Sequence, residues 1–302
     1  MSLRRGIYVE ILIRGEMSEL WRLTQDPALH QRWDLRFTDI TYLARDTESE
    51  PQRFLYSTRI GFGMRIDGEG ESTGERDLPS GERLSALKFW SDDPKSLIRT
   101  GSGYWKYIPA DGGVRFLTWY DYQPRFGRLG SLVDAICFRP LIGWATAWSF
   151  SSLRLWIERG IHPEQSRRLA AIHAVARLGT AFIWLWHGLV PKILFHNRDE
   201  LALLGDAGIP ASMLPWIGAA EISIALGAIL SWRWRPYWVL NGIAMVLVLL
   251  QGAMQSPQYL TAAFNPVTLN TSMLMLSIIG YLSASDLASA KHCSRRPSRE
   301  QQ

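Results

Sequence analysis

Charge is distributed along this chain so unevenly that its two halves cannot share one solvent. Residues 169–285 hold nine charged side chains in 117 residues: Arg177, Lys192, Arg198, Asp199, Glu200, Asp206, Glu221, Arg233 and Arg235. Residues 1–168 hold 46. Between the sparse charges lie four apolar runs, Leu169–Leu189, Leu214–Ser231, Tyr237–Gln255 and Pro266–Ser283. At 1.5 Å per helical residue each run is long enough to cross ~30 Å of hydrocarbon. Lipid offers backbone groups no hydrogen-bond partner, so helices are the expected form. A soluble helical core is the alternative, but a protein of this size has little interior in which to bury four such runs. The mean hydropathy of −0.05 averages these two halves and conceals both.

Basic residues suggest an orientation. Arg154, Arg159, Arg167 and Arg168 precede the first run, Arg233 and Arg235 separate the second from the third, and Lys291, Arg295, Arg296 and Arg299 follow the fourth. Positive residues favour the cytoplasmic side, so the expectation is a multi-pass protein of the cell membrane with both termini in the cytoplasm. Met1–Arg14 is too short and too charged to read as a signal peptide. The net charge of +5 is scattered among acids, and no nucleic-acid partner is expected. Two cysteines, Cys137 and Cys293, give neither a disulfide framework nor a zinc-ligand spacing, and no metal site is expected.

The first half reads as a strand at Ile7–Ile13, helical turns over Met17–Gln25 and Asp26–Trp33, and then strands. Phe54–Ile66 alternates strictly between apolar and polar or small residues and predicts one long strand. Further strands are expected near Gly68–Arg76, Leu84–Ser91, Ile98–Ile108 and Val114–Tyr122, with a hairpin turn at Asp111-Gly112-Gly113. A long helix follows from about Leu129 to Glu158, interrupted near Pro140. Its stretch Leu132–Leu155 could pack on the sheet or lie on the inner leaflet.

This element order, with Asp-Pro-Ala-Leu-His-Gln-Arg-Trp-Asp (Asp26–Asp34) after the first helix, resembles the START-like or SRPBCC superfamily of polyketide-cyclase and lipid-transfer type. The resemblance implies a helix-grip α+β domain with an antiparallel sheet around a long C-terminal helix, enclosing an apolar cavity for a hydrophobic small molecule. Trp33, Phe62, Trp90, Tyr104, Trp119 and Tyr122 are the candidate pocket residues, with a packed core as the alternative for each. His30 and His162 lie near helix or domain ends without an evident nucleophile–base pair, so no catalytic residue is assigned.

In the second half, His173, Arg177, Thr180, Trp184 and His187 fall along one face of the first run. Arg177 lies roughly 12 Å into the membrane and cannot shed its proton there. Depth arithmetic puts Glu221, Gln251 and Asn270 in one layer of the other leaflet, and expects Glu221 to pair with Arg177 through water or extended side chains. These polar groups are either glue between helices or a ligand or proton site.

The stretch Trp184–Leu204, containing His187, Gly188, Pro191 and Lys192, is followed by Ala219–Leu230 with Glu221 and by Phe-Asn-Pro-Val-Thr-Leu-Asn (Phe264–Asn270) with Asn265, Pro266 and Asn270. Together these resemble the DoxX-like family of small four-helix membrane proteins. That resemblance implies association with membrane redox complexes and quinone-linked oxidation. The chain is thus expected to comprise a cytosolic domain at 1–160, a basic linker at 161–168, an all-α four-helix transmembrane bundle at 169–285 and a basic, disordered cytosolic tail at 286–302. Two functions fit: a module binding or sensing a lipid, isoprenoid or quinone beside membrane lipids, or a non-haem accessory subunit that docks a membrane or cytosolic oxidoreductase. No cofactor is evident beyond a quinone or lipid, and a cyclase-type or hydrolase-type activity of the first domain is the weakest alternative.

Overall fold

The computed structural model describes residues 6–47, 50–61, 63–263 and 265–297. The chain divides into two compact units. One holds the residues up to Ser166 together with those from Ala288 onward, and the other holds Arg167–Leu287.

The first unit is a seven-stranded antiparallel sheet with helices. β1 (Ile7–Ile13) leads into α1 (Met17–Gln25) and α2 (Pro27–Trp33), then β2 (Asp39–Tyr42), β3 (Arg53–Gly61), β4 (Met64–Asp77), β5 (Arg83–Trp90), β6 (Ile98–Ala110) and β7 (Gly113–Pro124). Strand order is β1-β7-β6-β5-β4-β3-β2, so the meander β2–β7 is closed by β1 pairing with the last strand. The expected long strand at Phe54–Ile66 is a hairpin instead. Gly61 pairs with Met64, and Gly63 takes φ 75°, a backbone that favours glycine. Strict alternation hides such a turn because the two arms keep the same period. Phe62 lies outside the described residues.

After β7, α3 (Gly127–Val133) and a π-helical turn (Asp134–Phe138) lead to α4 (Arg139–Arg159), with Pro140 in its first turn. α4 is the gripping helix. Ala147, Phe150 and Leu153 are fully buried against Val9, Ile11, Trp33 and Phe116, and Phe150 stacks on Phe116 at 4.4 Å between ring centroids. Leu129, Leu132 and Ile136, before α4, remain exposed.

Residues 288–297 of the expected disordered tail return to this unit, and 298–302 lie outside the described residues. Glu10 and Ser294 exchange backbone hydrogen bonds of 2.9 Å in both directions, extending the sheet beyond β1. Ser151 Oγ pairs with His292 Nδ1 at 2.8 Å, and Cys293 Sγ donates to the Ala147 carbonyl at 3.2 Å. A charged composition suggested solvation, but an open edge strand recruits backbone partners whatever their side chains.

The second unit is helical. α5 (Pro163–His187) continues through a π-helical segment, Gly188–Leu194. α6 (Arg198–Asp206), α7 (Leu214–Leu230), α8 (Pro236–Gln255) and α9 (Pro266–Ser283) follow. Four of these stretches, Pro163–Leu194, Ala211–Leu230, Pro236–Gln255 and Pro266–Ser283, are long and apolar enough to cross a membrane. Proline stands in the first turn of α7, α8 and α9, where its missing N–H costs nothing.

Candidate functional site

The first unit encloses a cavity of about 460 Å³. Phe89 and Trp105 from the sheet, Phe37 and Ile40 from the α2–β2 stretch, and Phe138 and Ile142 from the head of α4 form much of its wall.

Of the six aromatic residues singled out in the sequence, Tyr104 contributes to this wall, while its ring stacks on Trp119 at 6.1 Å. Trp119 is on the opposite face and partly exposed. Trp33 is fully buried and donates Nε1–H to the Leu23 carbonyl at 2.9 Å. Tyr122 donates to Asp134 at 2.6 Å under the Arg139 guanidinium. Trp90 ends β5, and its carbonyl accepts from Tyr56 at 3.3 Å. Neither Trp33, Trp90, Trp119 nor Tyr122 lines the cavity.

A polar group that the sequence reading passed over does line it. His30 and Asp34 stand one helical turn apart at the end of α2, and Arg36 follows two residues later. Asp34 Oδ2 is 3.1 Å from His30 Nε2 and 2.6 Å from Arg36 Nη2, and Asp34 Oδ1 accepts from Arg36 Nε at 2.9 Å. Burial alone would raise the Asp34 carboxyl, but the Arg36 guanidinium and the His30 hydrogen bond hold it well below the usual carboxylate range. Burial pushes His30 below the ordinary histidine range, against the pull of Asp34. Tyr120, beneath Arg36, shares a 2.8 Å hydrogen bond with Thr146 of α4. The i, i+4 spacing of His30 and Asp34 was the available signal.

The second unit separates the intramembrane residues into two clusters. Arg177 is fully buried. It donates to the Ala228 carbonyl at 3.2 Å and the Trp234 carbonyl at 3.1 Å, and lies over the rings of Tyr237 and Trp238 at 4.6 and 4.4 Å. His173, one turn earlier, pairs with the Trp232 carbonyl at 2.8 Å. The guanidinium thus caps the carbonyl end of α7, where helix dipoles favour a cation. Glu221 is not its partner. Lys192 Nζ lies 3.1 Å from Glu221 Oε2 and donates to Glu200 Oε1 at 2.9 Å. The expected Arg177–Glu221 pair fails because each charged side chain has a compensating group within closer reach. For Arg177 that is the α7 terminus; for Glu221 it is the lysine in the π-helical segment.

His187 sits within electrostatic range of Lys192 and Glu200. Gly188 brings that segment against α7 so closely that a Cβ would meet the Gly218 carbonyl at 2.5 Å. Pro191, which has no N–H to donate, lies inside the π-helical segment. Asn197 N–H takes the Pro191 carbonyl at 2.8 Å. Asn265 caps α9 by accepting from Thr268 N–H at 3.0 Å, with Pro266 next to it. Gln251 is exposed and bonds Gln255, whereas Asn270 is buried, so the expected polar layer is not one site. A separate relay joins three spans: Trp184 donates to Asn241 at 2.7 Å, and Asn241 to Ser277 at 2.8 Å.

Comparison with known proteins gives similarity over both units. Residues 181–278 match the DoxX-like family. The chain is 43% identical over 241 residues to the uncharacterized membrane protein YndG of Bacillus subtilis (strain 168), spanning 80% of this chain and 82% of that protein. Among solved structures, the di-domain aromatase/cyclase StfQ from the steffimycin biosynthetic pathway is 14% identical, with a TM-score of 0.41 over 51% of this chain and 50% of that one. A STAR-related lipid transfer protein from Xanthomonas axonopodis is 14% identical, with a TM-score of 0.38 over 50% of this chain and 84% of its own.

Proposed function

The chain belongs to the DoxX-like family of membrane proteins, and from that premise we propose that it is a membrane-anchored binding module for an apolar small molecule. The first unit holds a lipid, isoprenoid or quinone, and the four-helix unit keeps that unit at the membrane. The observation that carries this reading is the cavity of about 460 Å³ with largely aromatic and aliphatic walls. Binding sites for small molecules are typically ~300–1,000 Å³ and largely apolar, with few polar groups.

The first unit lies on the cytoplasmic side of the cell membrane in this reading. Arg167 and Arg168 before the first span, and Arg233 and Arg235 between the second and third, support that side. The return of Ser294 to pair with Glu10 supports an even number of crossings, because one folded unit contains the chain on both sides of the spans.

Photolabelling tests the reading. Full-length protein in vesicles is irradiated with a long-chain alkyl diazirine and digested. Labelled peptides from the cavity wall around Phe89, Trp105 and Phe138–Ile142 are expected, and their labelling should fall in an Ala145→Trp variant that fills the cavity. Label confined to the four spans would overturn the proposal.

A further inference from the structure

Within the cluster of His30, Asp34 and Arg36 at the cavity wall, one ring nitrogen is left without a partner. Asp34 receives His30 Nε2 at 3.1 Å, Arg36 Nε and Nη2 at 2.9 and 2.6 Å, and the Arg36 backbone N–H at 3.0 Å. A carboxylate can only accept, so His30 carries its proton on Nε2, and Nδ1 is left with a lone pair. Among the described residues nothing is hydrogen-bonded to Nδ1. The imidazole is held between Trp33, Phe37 and Trp105, with ring centroids 5.1, 5.3 and 4.9 Å away, and it forms part of the cavity wall. The aromatic neighbours fix the ring and supply no donor to that nitrogen.

Arg36, Arg45, Arg59 and Glu75 are the charged residues of the wall, and of these Arg36, with Asp34 behind it, acts on His30. Asp34 and Arg36 cancel, and His30 is neutral, so the group presents no net charge to the cavity. Arg36 spends its Nε and one terminal nitrogen on Asp34 and rests over Tyr120. An anionic head would set its own lone pairs against the His30 lone pair, with no proton to share. A head lacking an O–H would leave Nδ1 unpaired in an apolar enclosure, which costs free energy. A neutral hydroxyl donates to Nδ1 and leaves no polar atom stranded.

We propose that His30 Nδ1 is the acceptor for the hydroxyl head of the ligand, so that the cavity takes an apolar alcohol or phenol in preference to an ether or a carboxylate. This rests on the binding function proposed above and specifies the ligand's polar end. His30 contacts the ligand; Asp34 acts through His30 as a positioning residue by holding its tautomer.

Three probes of one shape separate the possibilities: 4-heptylphenol, its methyl ether and 4-heptylbenzoate. Each is titrated into full-length protein in lipid nanodiscs, and tryptophan fluorescence is followed, since Trp33 and Trp105 flank His30. Saturable binding of the phenol, at least about tenfold tighter than either of the others, is expected, because a site built around a hydrogen bond rejects analogues that cannot make it. In His30→Phe the preference for phenol over ether should disappear, while partition into the nanodisc stays the same for both proteins. The wild-type comparison needs no variant, so a His30→Phe protein that failed to fold would leave the test standing. Equal affinity for phenol and ether, or tighter binding of the benzoate, overturns the hydroxyl assignment and leaves the apolar-ligand reading intact. No saturable binding of any probe overturns both.

Discussion

At the scale of single residues, Asp34 holds the α2–β2 stretch together, and its loss has a calculable consequence. Removing one partner of a buried pair leaves the other charge uncompensated, so Asp34→Ala is expected to destabilise the first unit by about 3–5 kcal/mol, read as a lowered thermal midpoint. The same cluster sets a pH dependence. His30 binds its proton more weakly folded than unfolded, so protons pull toward the unfolded chain as pH falls through the ordinary histidine range. Asp34 is held low when folded, so its stabilisation is complete above the usual carboxylate range and is lost below it. The thermal midpoint of the full-length protein should therefore decline from neutral pH toward pH ~5 and more steeply below ~4, and His30→Phe should flatten the first step. In the second unit, coupling should follow the observed pairs. Lys192→Met and Glu221→Gln are expected to be non-additive in stability by ~0.5–3 kcal/mol, whereas Arg177→Met and Glu221→Gln should add within about 0.5 kcal/mol. Double-mutant cycles on the purified protein measure both.

Secondary-structure elements were legible where periodicity and local chemistry agreed. β1, α1, β6, β7 and the four apolar helices fall close to where the sequence predicts them, because each is long, strongly patterned and bounded by glycine, proline or charge. The β3–β4 hairpin was not legible, since its arms continue one alternation and only Gly63 marks the turn. β2 is four residues long, too short to announce itself. The tail could not be read from composition, because its attachment to β1 is made by backbone atoms. That attachment predicts a chemical difference between the two thiols. Cys293 is packed against the Ala147 carbonyl, and burial pushes its pKa to about 12, whereas Cys137 is exposed. Maleimide labelling of the folded protein should therefore modify Cys137 first, and truncation after Leu287 should lower the thermal midpoint by exposing the β1 edge. Equal labelling rates for the two cysteines would mean that the tail is not held there.

At the scale of the whole molecule, the division into a water-adapted unit and a lipid-adapted unit follows from charge density alone, and the DoxX-like similarity falls on the apolar part. The candidate site was less legible. Aromatic residues mark strands, but which face each one occupies depends on register. Trp119 and Phe116, three positions apart on β7, end on opposite sides of the sheet. Long basic side chains likewise choose partners by reach in three dimensions, so depth along separate helices could not identify the Lys192–Glu221 pair. The central claim is that the first unit carries an apolar ligand. Native mass spectrometry of full-length protein released from detergent tests it most directly, with the Ala145→Trp variant beside the wild type. A single added mass, present on the wild type at one per chain and absent from the filled variant, is the expected result; an unliganded wild type, or the same added mass on both proteins, would contradict it.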